Sequence, residues 1–181
     1  MTKQVLFTKE DLREALAELA RRLRERGVSA GIRIVGGAAL ALAYYDRQPT
    51  IDIDALIYPS LEAEGPVLEM VATMAAEHGW PGDWLNSNVK VHAPPALDAA
   101  WRVLFVEGDI SVQIAPPDLL LAMKLNAARG VRDARDIDVL LELCEIRDLE
   151  SAEAVFEHYY PGDALSEKAI GAVKRHLSPD G

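Results

Sequence analysis

One stretch constrains this chain more than any other, Ile32 to Pro59, with the sequence IRIVGGAALALAYYDRQPTIDIDALIYP. Its glycines and proline divide it. Ile32–Val35 reads as an apolar strand, Gly36-Gly37 as a turn, and the apolar run to about Tyr45 as a short helix; after a break at Pro49, a second strand carries Asp52 and Asp54 among isoleucines. Strand side chains alternate faces, so the two aspartates share one face and Ile51 and Ile53 the other. Two carboxylates roughly 7 Å apart along a strand, across a short helix from a double glycine, are the groups that a divalent cation facing a phosphate would use. A plainer reading stands beside that one: a packing turn, followed by the polar face of an edge strand.

The rest of the chain bounds the alternatives. Its 181 residues suit one domain, or a compact core with an appended helical part, and half of them are hydrophobic, enough for a sizeable core. The formal charge of −10 repels nucleic acid and anionic membranes, so a polynucleotide partner would need a locally basic patch. The single cysteine, Cys144, excludes an intramolecular disulfide and falls in the apolar run VLLELCEI, where a small core residue is expected. The opening MTKQVLFTKEDL has no basic segment followed by an apolar one, and no run approaches the roughly 20 apolar residues of a membrane span. A cytoplasmic protein with no membrane partner is expected. The four histidines, His78, His92, His158 and His176, are scattered singly, without the spacing of a zinc site.

Taken in order, Thr8 with Asp11 forms a helix start, and Leu12, Ala15, Leu16, Leu19 and Leu23 recur at helical spacing up to Gly27. The other face of that helix alternates arginines with glutamates, as a solvated face with i,i+4 pairs would, or as part of a basic patch for an anion. A helix is expected from about Leu61 to His78, with Leu68, Val71, Ala72 and Ala75 as its apolar stripe. In GWPGDWLNSNVKV, Trp80 and Trp84 are either core anchors or the lining of a pocket for a base. Trp101–Val106 and Ile110–Ile114, joined by Glu107-Gly108-Asp109, read as a β-hairpin. Helices follow over Leu119–Arg129, opened by Pro116-Pro117-Asp118, and over about Arg132–Ile146. Two more are split at Pro161-Gly162, and a frayed tail SPDG ends the chain. The order predicts an α/β fold over residues 1–115 and a helical C-terminal part over 116–181, packed as one compact unit.

Phosphoryl-type transfer is mostly positioning and neutralisation of charge. A Gly36-Gly37 turn lets backbone N–H groups approach a triphosphate, and the helix N-terminus adds its dipole. Mg²⁺ takes oxygen ligands, commonly one or two carboxylates together with phosphate oxygens, which is the chemistry of Asp52 and Asp54. Arg47 and Thr50, just upstream, are placed to hydrogen-bond phosphate oxygens.

The combination GGAALALAYYDRQPTIDID resembles the signature of the polymerase-β-like nucleotidyltransferase superfamily, a glycine turn and short helix before a strand bearing D-x-D. Arg and then Thr ahead of the acidic pair look like the AbiEii and MenT-type branch, bacterial nucleotidyltransferases known as toxins of toxin–antitoxin systems. DLLLAMKLNAARGVRDARDIDVLLEL is similar to that branch's downstream motif, and DWLN at Asp83–Asn86 to a recurrent element of its short members; together the similarity covers about residues 32–143. It implies a nucleotidyltransferase-like mixed sheet flanked by helices, with Mg²⁺ (or Mn²⁺) on Asp52 and Asp54 and an NTP held at Gly36, Gly37, Arg47 and Thr50. It further implies Lys124 contacting triphosphate or transition state, and Asp136 as third acidic catalytic residue, with Asp133 and Asp138 as lesser candidates. For Lys124 the plain alternative is a helix lysine snorkelling beside Met123; for Asp136 it is an acid stabilised by a helix dipole. One departure is visible. The strand ISVQI offers Gln113 where many relatives carry the third carboxylate.

The function expected from this resemblance is transfer of an NMP from an NTP to an acceptor hydroxyl. An RNA, plausibly the tRNA 3′ end, is the implied acceptor, and an antitoxin protein the implied partner. Arg129, Arg132 and Arg135 are candidates for the local basic surface. Transfer to a protein or small molecule, or a non-catalytic nucleotide-binding module, are the alternatives.

Overall fold

A computed structural model describes residues 5–95 and 99–178. The last three residues of the tail expected to fray lie outside the described residues. Two compact units are present, one within Met1–Val91 and Trp101–Ala115, the other within His92–Ala100 and Pro116–Gly181.

The first unit is α/β. Helix α1 (Lys9–Glu25) starts at the predicted capping box: the Thr8 hydroxyl accepts from Asp11 N–H, and the Asp11 carboxylate accepts from Thr8 N–H at 2.8 Å. Its five predicted apolar positions are all buried. Then come β1 (Ala30–Ile34), α2 (Gly36–Ala43), β2 (Ile53–Tyr58), α3 (Ser60–His78), β3 (Leu85–Asn86), a short 3-10 helix (Asn88–Val91), β4 (Arg102–Glu107) and β5 (Ile110–Ile114). The strands form one mixed sheet in the order β3-β2-β1-β5-β4, with β1 antiparallel to β2 and parallel to β5. The expected hairpin is β4–β5, which is antiparallel.

Register sorts the sheet's side chains. Ile32, Ile34, Ile53, Ala55, Ile57, Ile110, Val112 and Ile114 share one face and are buried; α1 and α3 pack on the sheet. Asp54, Leu56 and Tyr58 of β2, Arg33 of β1 and Gln113 of β5 occupy the other, half-buried face. The α3 stripe is rotated from the expected one. Val71 and Ala75 are buried, but Leu68 is only half-buried and Ala72 exposed, while Val67, Met70 and Met74 face the core. Apolar residues surround this helix, so the sheet, not the pattern, selects the face.

Trp84 is fully buried and Trp80 half-buried, the first tilted against Phe7 and the second edge-on to it, with ring centroids 6.1 Å and 5.3 Å away, and Trp84 Nε1 donates to Val71 O at 3.0 Å. That is the core-anchor reading. The arginine face of α1 resolves equally plainly: Arg21 pairs with Glu25, Arg22 with Glu18 and Glu77, Arg24 with Glu107 and Arg26 with Glu69. These charges are neutralised within the chain, so they form a solvated face of ion pairs.

Among its described residues the second unit contains four helices, α4 (Pro117–Ala127), α5 (Val131–Leu143), α6 (Leu149–Tyr159) and α7 (Glu167–Leu177), with α4 packed on α5 and α6, and α7 on α5 and α6. Asp148 and Ser166 cap α6 and α7 through Ser151 N–H and Ala169 N–H. Ala128 at φ 38° and Gly130 at φ 67° turn the chain between α4 and α5. Cys144 caps α5, and burial, aided by the Asp118 charge, pushes its thiol up to about 12. No described helix is long and apolar enough to cross a membrane.

Candidate functional site

The first constellation forms where β1 runs directly into α2. Val35 is the N-cap and supplies no side-chain cap, and its N–H donates to Asp54 O at 3.0 Å. The two glycines are the first residues of the helix itself instead of a turn ahead of it. Gly36 sits at φ +64°, a region that only glycine enters freely, and a methyl group built on it would stand 3.1 Å from Asp54 Oδ2. A methyl group on Gly37 would stand 3.1 Å from Arg47 Cζ and Nη1. The bare first turn of α2 therefore lies between a carboxylate and a guanidinium, and its N-terminal dipole favours negative charge there.

Asp52 lies one residue before β2, half-buried, with Asn86 Nδ2 at 3.5 Å from its Oδ2. Asn86 is the β3 partner of Asp54 in register, 8% exposed, and its Oδ1 accepts from Asn88 N–H at 3.0 Å. Thr50 donates its hydroxyl to Asp52 O at 3.3 Å and exchanges backbone hydrogen bonds with Phe7. So Gly36, Gly37, Arg47, Thr50, Asp52 and Asp54 are brought together, and Asn86 joins them. The two carboxylates are hard oxygen donors, the chemistry that suits Mg²⁺ or Mn²⁺, while Asn86 presents its Nδ2 to Asp52. Among the described residues, one group of three acid and imidazole side chains, Glu18, Glu77 and His78, also converges closely enough for a metal. Arg22 Nη2 already stands 2.5 Å from Glu18 and 2.6 Å from Glu77, and that cation occupies the charge a metal would use.

Gly36→Ala tests the turn. The left-handed backbone and the approach to Asp54 together are expected to cost about 1–2 kcal/mol, read by urea unfolding of the two proteins; a variant as stable as wild type would refute the account.

The second constellation belongs to the other unit. Lys124 on α4 is buried, its Nζ 2.7 Å from Asp133 Oδ1 and 2.8 Å from Asp136 Oδ2, both on α5. Asp133 also accepts from Arg129 N–H at 3.1 Å and from its Nε at 3.0 Å. Asp138 stands elsewhere on α5, 3.2 Å from His176 Nδ1. Lys124 is thus a bridge between helices rather than a surface lysine beside Met123. Burial by itself raises Asp133, but the hydrogen bonds from Arg129 and Lys124 outweigh it and hold the carboxyl below its ordinary 3.8. A lowered folded value means a stabilisation fully present above about 3.8 and lost as pH falls through the folded value. Thermal unfolding across that acid range is expected to show a steeper loss for wild type than for Asp133→Asn; parallel curves would contradict it.

Comparisons with protein-family models, with curated proteins and with solved structures found no match to the chain.

Two features of the first unit carried no assigned role in the sequence. Asn86 had a trace in DWLN. Arg33, the lone charge in the apolar strand AGIRI, had only its own oddity as a signal.

Proposed function

We propose that this chain is a Mg²⁺-dependent nucleotidyltransferase that moves a nucleoside monophosphate from an NTP to an acceptor hydroxyl. The acceptor oxygen bonds to the α-phosphorus, the bond from that phosphorus to the bridging oxygen breaks, pyrophosphate leaves, and the hydroxyl proton passes to solvent or a base. The observation that carries the reading is the first turn of α2, bare of side chains at Gly36 and Gly37, with the Asp54 carboxylate at one glycine and the Arg47 guanidinium at the other.

In this reading the first-turn N–H groups and Arg47 bind the triphosphate. Asp52 and Asp54 hold the cation, and Asn86 orients Asp52. A bound Mg²⁺ would neutralise charge on the phosphates and leaving group. Lys124 and Asp136 enter on the sequence resemblance alone, as does the further reading of a toxin acting on the 3′ end of a tRNA and neutralised by an antitoxin protein.

A second acceptor class, a protein or small-molecule hydroxyl, draws support from the net charge of −10 and from the internal pairing of the α1 arginines. Incubation with α-labelled NTPs and Mg²⁺, followed by separation of total RNA, protein and small molecules, distinguishes the two by where the label goes. Equal labelling by Asp52→Ala would remove the proposal.

A further inference from the structure

The half-buried face of the sheet carries a cation whose setting the NTP site does not explain. Arg33 projects from the middle of β1, and its Cζ lies 4.3 Å from the ring centroid of Tyr58 and 4.8 Å from that of Trp101. Its Nε donates to Gln113 Oε1 at 3.1 Å, and the same oxygen accepts from Tyr58 OH at 3.2 Å. Room for this arrangement is made at position 31. A methyl group on Gly31 would fall 2.0 Å from Tyr58 Cζ, so the tyrosine lies across β1 only because that residue is glycine. Tyr58 of β2, Gln113 of β5 and Trp101, one residue ahead of β4, therefore fix one guanidinium.

What they leave undone is its charge. The one hydrogen bond is to a neutral amide, and among the described residues Arg33 forms no ion pair. A fixed, half-buried guanidinium with its Nη edges unengaged by any described carboxylate is a pre-set fork for an oxyanion, and phosphate matches that fork in two-point geometry. Rings above and beside the plane hold it without using the N–H groups that recognise the anion.

Register says which phosphate. Arg33 pairs with Leu56, so Asp54 is its diagonal neighbour on the same face, roughly 7–8 Å away. Gly36 is three residues further along the chain, roughly 10 Å. With the first-turn N–H groups and Arg47 on the triphosphate, Arg33 is the cation set nearest to Asp54 along β1 for the other reactant. We propose that Arg33 binds a phosphate group of the acceptor and so positions that reactant beside Asp54, with single-stranded RNA as the probe. This rests on the nucleotidyltransferase reading for there being an acceptor, and on Arg33, Tyr58, Trp101 and Gln113 for the site.

The test is binding of a fluorescent single-stranded RNA oligonucleotide, followed by anisotropy in EDTA between about 50 and 200 mM salt. Loss of one phosphate contact in Arg33→Met is expected to lower the slope of log affinity against log salt by about 0.7. Gln113→Glu sets a carboxylate against the same guanidinium and is expected to lower the slope similarly, so the test survives if Arg33→Met does not fold. A folded variant with an unchanged slope overturns the assignment, whether or not the wild-type chain transfers nucleotide. In steady-state transfer, Arg33→Met is expected to raise the acceptor KM about tenfold with the NTP KM unmoved; a rise in the NTP KM instead would overturn the acceptor assignment. Absence of any transfer by wild type would remove the proposed function and leave the salt slopes to judge Arg33 by themselves.

Discussion

On the proposed nucleotidyltransferase reading, Asp54→Asn is expected to lower nucleotide transfer by about a thousandfold or more. The amide keeps the volume and the approach to Gly36, so what changes is charge alone. A neutral oxygen beside the α2 turn holds a divalent cation poorly, and the cation is asked to supply several kcal/mol of transition-state neutralisation, about 4 kcal/mol being a thousandfold. Asp54 is half-buried and the substitution isosteric, so thermal unfolding is expected to move by less than about 1 kcal/mol. Asp52→Ala should lose comparable activity and also free Asn86 from its carboxylate. Measured together, label incorporation and unfolding separate the chemistry from the fold. Retention of more than about a tenth of the activity in folded Asp54→Asn would mean that this carboxylate is not a metal ligand in a transferase.

Lys124→Met is expected to destabilise the helical unit by about 3–5 kcal/mol. The lysine is the cation for two carboxylates at once, and both are buried: Asp133 side chain 0% and Asp136 side chain 3% exposed. Removing it takes the shared cation from two desolvated carboxylates about one helical turn apart on α5, of which Asp133 keeps the half-exposed Arg129. Denaturant unfolding by circular dichroism reads the loss. The companion variant Lys124→Met/Asp133→Asn/Asp136→Asn removes the charges together and is expected to recover much of it, because the penalty lies in buried carboxylates that have lost their shared cation. A small effect of Lys124→Met alone would contradict the buried bridge. For catalysis this has a practical meaning: any activity change in Lys124 or Asp136 variants must be divided by the folded fraction before a role in chemistry is assigned.

What could be read from the sequence was local. The capping box of α1, its leucine stripe and the β4–β5 hairpin are encoded within a few residues of one another, and all are present. The cluster of Gly36, Gly37, Arg47, Thr50, Asp52 and Asp54 was legible for the same reason, since nineteen residues carry it all. Partners distant in sequence were not. Gln113 meets Arg33 across 80 positions, and Asn86 meets Asp52 across 34; no periodicity reports such pairs. The face of α3 was misjudged because Leu68 and Ala72 are as apolar as the residues that β2 covers. Local sequence offers Lys124 as a triphosphate contact or a lysine snorkelling beside Met123, whereas its environment is set by acids nine and twelve positions later, beyond the Ala128–Gly130 turn.

The thiol of Cys144 has a use at the bench. With burial pushing its pKa up to about 12, the thiol stays protonated at neutral pH. Alkylating dyes and spin labels react with thiolates, so the native chain is expected to label slowly despite containing a cysteine. A second cysteine placed at Leu61, which is 97% exposed, would take a reporter at one defined position with no need to mutate Cys144.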